Sequence, residues 1–124
     1  MYSRDPTLTE MQPRDLMPTE SPIFTAAIAG DSMLPVLRAG DWVLVRRTRG
    51  IQSGHIVAIQ DPRKPERILV KRAIRPMAGG WWVLGDNPDR STDSRSFGTV
   101  SGELVLGRVV ARYYPLPFRW FGFF

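Results

Sequence analysis

Ile68-Leu69-Val70-Lys71-Arg72-Ala73-Ile74 is a run of aliphatic residues broken by two cations. Such a run between turn signals reads as a β-strand. A period of two then places Lys71 on the same face as Leu69 and Ala73. An ammonium on an apolar face is poorly solvated, so this strand predicts a lysine whose charged form is disfavoured.

The neighbouring segments repeat the pattern. Trp42-Val43-Leu44-Val45 follows the turn Ala39-Gly40-Asp41, His55 to Gln60 follows Ser53-Gly54, and residues 67–74 follow the proline-rich turn Asp61 to Pro65. Gly79-Gly80 opens Trp81-Trp82-Val83-Leu84, and Leu104 to Tyr113 reads as the last strand. Ile23 to Ala29 supplies the first. No segment of useful length has a helical period, apart from single turns after Ser32 and near Ser101 to Leu104. The predicted class is all-β, a small, strongly twisted barrel-like sheet. Of the tandem tryptophans, one faces the core and the other a cleft. Residues 1–21, interrupted by Pro6, Pro13 and Pro18, read as a mobile N-terminal tail, and residues 22–124 as one domain. The aromatic end, Tyr113 to Phe124, is expected to pack over the sheet as a flap, in preference to lying at a lipid interface.

Composition narrows the function. There is no cysteine and one histidine, His55, so disulfides, thiolate chemistry and a multi-histidine zinc site are excluded, and no metal or cofactor is expected. The net charge of +5 comes from arginines without any long basic run, so nucleic acid is not an expected partner. The longest uncharged run near the N-terminus, Ser21 to Gly30, is about half the roughly 20 residues a spanning helix needs. Asp5, Glu10, Asp15 and Glu20 interrupt any secretory signal. The expected location is cytoplasmic, with attachment to a membrane surface as the alternative.

Gly30-Asp31-Ser32-Met33-Leu34-Pro35 sets one serine at a bend after the first strand. A hydroxyl held there, beside backbone N–H groups, has what acyl transfer asks of a nucleophile and an oxyanion hole. Its proton needs an acceptor, and His55, a carboxylate or a lysine is available. His55 begins a strand with no acidic residue placed to orient it. Lys71 is the stronger candidate: fifteen of seventeen basic positions are arginine, which stays protonated, whereas this position keeps lysine. The other lysine, Lys64, lies in a solvated turn. The polar loop Gly85 to Gly98 leaves Asp93 able to pair with Arg95 and Ser91 able to bond a nearby amine.

These three stretches, in this order, resemble the signal peptidase I family of serine proteases, which work with a Ser/Lys dyad. The resemblance implies the catalytic-core fold of that family, Ser32 as nucleophile with its backbone N–H in the oxyanion hole, and Lys71 as general base. It gives supporting roles to Ser91, Asp93 and Arg95: Ser91 bonds the lysine, and Asp93 and Arg95 form a salt bridge. Gly30 stands where some members carry a second oxyanion-stabilising serine, His55 where aspartate is usual, and Val36 where threonine is common. Gly79 to Pro88, Ser91 to Arg95, Glu103 to Val109 and Arg112 to Pro115 are similar to the small, anchorless members that mature nickel-type superoxide dismutases. The implied partner is a precursor protein whose N-terminal leader binds in extended form. General signal peptidase work, self-cleavage of the repressor type and a non-catalytic basic β-module are the alternatives.

Overall fold

The computed structural model describes residues 21–122, together with the backbone of two dipeptide strands, β1 (Tyr2–Ser3) and β2 (Pro6–Thr7), which pair with each other. The expectation of a mobile tail over residues 1–21 otherwise lies outside the described residues.

The domain is one antiparallel sheet. Its strands are β3 (Ile23–Ala27), β4 (Trp42–Arg46), β5 (Ile56–Asp61), β6 (Lys64–Met77), β7 (Gly80–Leu84), β8 (Val100–Ser101), β9 (Val105–Tyr114) and β10 (Arg119–Trp120). The order is β3-β4-β9-β5-β6-β7-β8, with β10 pairing β9. The all-β class is as the sequence predicts. However, β3 and β8 end the path without pairing to each other, so the sheet is open and not closed into a barrel.

β5 shows why the sheet holds together. It lies between β9 and β6, and its side chains alternate between two cores. Ile56 and Ala58 join Met33, Leu37, Val43, Val45 and Val109 in one cluster. Val57 and Ile59 join Ala73, Val83 and Val100 in the other. A strand buried on both faces has no polar side to show, hence the unbroken Ile-Val-Ala-Ile. Full burial of a Met33- or Leu37-sized side chain contributes about 2 kcal/mol.

β6 runs further in both directions than residues 67–74, because the β5–β6 turn is tighter than its prolines suggest. The Asp61 carboxylate is fully buried and accepts from the Arg63 backbone N–H and guanidinium at 2.9–3.0 Å, which closes the turn locally. The register then slips: Asp61 faces Lys64 while Gln60 faces Ile68, leaving Pro65, Glu66 and Arg67 as excess chain on β6. The Gln60 amide donates to the Pro65 carbonyl across this bulge at 3.3 Å.

Trp81 packs on the second core, while Trp82 lies under the Arg75 guanidinium at 5.3 Å. The single turns expected after Ser32 and near Leu104 are present. The aromatic end divides. Phe121 packs on the first core, donates its N–H to the Val110 carbonyl and accepts from Arg108, but Tyr114, Leu116, Phe118 and Trp120 stay more than half exposed. The expected closing flap is therefore corrected: only its last turn closes, because β10 pairs with β9 at Ala111 and Arg112, beyond the stretch that β5 occupies, and so extends the sheet in place of folding across it.

Candidate active site

Two walls form a groove of about 220 Å³. One is the end of β3 and the following bend, Ala27 to Gly30 with Ser32 and Met33; the other is Arg67 to Lys71 of β6. The walls come together because Met33 and Ile28 are buried in the first core, while Val70 packs against that same core from β6. The Ser32 turn is shaped by bonds from Leu34 N–H to the Asp31 carbonyl and from Leu37 N–H to the Met33 carbonyl. A side chain built at Gly30 would meet open space, so its position is permissive and not tight.

Lys71 is 4% exposed, in line with the strand period. Burial holds its amine below the usual lysine range, as expected; the Asp93 charge opposes this, Arg63 adds to it, Asp61 opposes it and Arg95 adds to it. The amine donates to Ser91 Oγ at 3.1 Å, and Ser91 Oγ donates to Asp93 Oδ2 at 2.7 Å.

Asp93 anchors this chain of bonds. It caps the one-turn helix Ser94–Phe97, accepting from the Arg95 N–H at 3.2 Å. It also accepts from the Gly85 N–H at 2.9 Å and from the Arg95 guanidinium at 3.0 and 3.1 Å. Burial pushes its carboxyl upward, but the bonds from Arg95, Gly85 and Ser91 outweigh this and hold it at about 2. An ionised carboxylate only accepts, so Ser91 must give Asp93 its proton and offer Lys71 a lone pair. Lys71 must then spend an N–H on Ser91. In the neutral amine, the nitrogen lone pair is left pointing away from Ser91.

The same loop holds the serine turn. Asn87 N–H donates to the Ser32 carbonyl at 2.9 Å, and its side-chain amide donates to the Asp31 carbonyl at 3.1 Å. Asp86 pairs with Arg72, next to the lysine, at 2.6 Å. Asn87 and Asp86 thus tie the polar loop to the serine turn and to the strand beside the lysine, contacts with partners so distant in sequence that no local pattern announces them. His55 does not line the groove; its Nδ1 accepts from the Gln52 N–H at 3.1 Å, a local loop bond. Gly85 is needed for closeness. A β-carbon there would strike the Ser91 side chain and the Ser32 carbonyl oxygen. Gly85→Ala is expected to cost about 2 kcal/mol in thermal or urea unfolding, from overpacking, with a matching loss of activity.

Comparison with known proteins identifies the family. The Peptidase S24-like family profile matches residues 5–110. The chain is 32% identical to the mitochondrial ATP-independent inner membrane protease subunit 1a of Arabidopsis thaliana, over 75% of this chain and 71% of that protein. It is 35% identical to mitochondrial inner membrane protease subunit 1 of Xenopus tropicalis, over 71% and 67%, and 28% identical to subunit 2 of Saccharomyces cerevisiae, over 79% and 71%. These relatives overturn the expected cytoplasmic location, since proteases of an inner membrane point to membrane association. No described helix is long and apolar enough to cross a membrane, which does not bear on attachment by a surface. By the extent of the profile match and the identity to these proteases, the chain belongs to the Peptidase S24-like family.

Proposed function

We propose that this peptidase is a serine endopeptidase that removes an N-terminal leader from a precursor protein, with Ser32 as nucleophile and Lys71 as general base. The observation that carries the reading is a buried lysine, kept toward its neutral form and oriented by Ser91, on the wall of the groove that also holds Ser32.

An extended leader occupies the groove. The Lys71 lone pair takes the Ser32 hydroxyl proton as Oγ bonds to the scissile carbonyl carbon, and the Ser32 backbone N–H faces the oxyanion. When the intermediate collapses, the C–N bond breaks and the ammonium returns the proton to the leaving amine. A water then attacks the acyl ester carbon, losing its proton to Lys71; the C–Oγ bond breaks as the ammonium passes that proton to Oγ, and the free Ser32 hydroxyl is regenerated. Asp93 and Arg95 act through Ser91, holding it so that the amine lone pair stays turned toward Ser32. The narrower assignment, to a nickel-type superoxide dismutase precursor, rests on the likeness of Gly79 to Pro115 to the proteases that mature it.

The test is incubation of the full chain with leader-bearing precursors, the nickel-type dismutase precursor among them, read by intact mass. Cleavage is expected to yield a leader and a mature chain, and Ser32→Ala is expected to leave every precursor uncut. Cleavage that persists in Ser32→Ala would remove the serine assignment.

A further inference from the structure

Arg67 is the one arginine on the groove walls, which are otherwise apolar apart from Ser32 and Lys71. It belongs to the bulge on β6, and a bulge beside a site re-aims a side chain. Its side chain is 54% exposed, and the nearest carboxylate described for it is Asp61, at 3.8 Å. That carboxylate is already engaged by Arg63, which holds both of its oxygens at 2.9–3.0 Å. Glu66, next in sequence, is exposed, and Asp31, beside Ser32 but not lining the groove, pairs with Arg90 at 3.8 Å. Arg67 thus brings a weakly compensated positive charge to an apolar groove.

Its distance from the chemistry follows from the strand. Arg67 and Lys71 are four residues apart, about 13 Å at the rise of an extended chain. A peptide lying along β6 advances by the same rise, so Arg67 comes opposite a residue about four positions from the bond at Ser32. We propose that Arg67 is a specificity-determining residue that selects substrates carrying an aspartate or glutamate about four residues from the scissile bond, on the segment that fills the groove. This rests on the proposed function, which supplies the peptide and its place. Arg67 is half exposed, so its selection is graded: solvent screens a pair of this kind and the effect is modest.

The experiment measures binding to the full chain carrying Ser32→Ala, so that no turnover intervenes. Three series of leader peptides differ only in carrying Glu, Gln or Lys, scanned through positions three to five from the scissile bond. At one of these positions Glu is expected to bind about fivefold tighter than Lys, with Gln between, and added salt is expected to shrink the difference. Arg67→Glu is expected to reverse the order, and Arg67→Gln to flatten it. Equal affinities across all three series, or an order unchanged by Arg67→Glu, would overturn the inference. Failure of the proposed function reads differently: the chain with Ser32 intact would leave the same peptides uncut, whatever their charge.

Discussion

Lys71→Met is expected to lower the cleavage rate by about 10⁴-fold or more while leaving the melting temperature unchanged or raised. The two halves of this result have one cause. The amine is buried and kept below its usual range, so the protonated folded state carries a penalty that the unfolded chain escapes. The folded value lies below the unfolded one, near 10.5. The unfolded chain therefore binds the proton more tightly between the two values, and stability contributed by this site rises with pH across that window. It is fully present above about 10.5 and is lost as pH falls through the depressed folded value. At neutral pH the lysine does not favour folding, and methionine fills its place without a charge to desolvate. Lys71→Arg is expected to be equally inactive, since a guanidinium never offers a lone pair. The wild-type rate is expected to rise with pH through the depressed amine value. Rate–pH profiles and thermal unfolding of the three proteins check this, and a Lys71→Met protein that cuts normally would end the assignment.

Asp93→Asn is expected to act on both stability and rate. Its carboxylate is fully buried and accepts from the Gly85 N–H, Ser91 Oγ and Arg95. An amide in its place turns an N–H₂ toward the Gly85 N–H and the Arg95 guanidinium, which only donate. Breaking a buried arrangement of this kind costs about 3 kcal/mol, on the order of 10 °C in melting temperature. The rate falls as well, because Ser91 is then free to turn and the amine loses its orientation. The acid limb carries a separate signature. The folded carboxyl sits at about 2 against an ordinary 3.8, a difference of about 2 kcal/mol. That stability is present above pH 3.8 and lost as pH falls from there toward 2. Urea unfolding across this range is expected to show the loss in the wild type and not in Asp93→Asn.

Much of the site was legible in the chain itself. Strand periodicity put Lys71 on the face of Leu69 and Ala73, and all three line up as expected, with Lys71 and Ala73 buried and Leu69 packed on the second core. Ser91, Asp93 and Arg95 lie within five residues of one another, so their mutual bonds are local and the turn-forming sequence announces them. The exposed rings of Tyr114, Phe118 and Trp120 were not legible, because an aromatic run looks the same whether it covers a core or faces outward.

By itself, then, the sequence determined the all-β class, the identity of the buried amine and the self-bonded polar loop, since each depends on side-chain alternation or on contacts a few residues apart. Tertiary structure alone decided that the sheet stays open, that Asn87 reaches Ser32 and Asp31 from more than fifty residues away, and that Arg67, at a register slip in β6, lies on the groove wall. Long-range pairing is chosen by how two cores pack against opposite faces of β5, and no local pattern records which strand ends are left facing each other across a cleft.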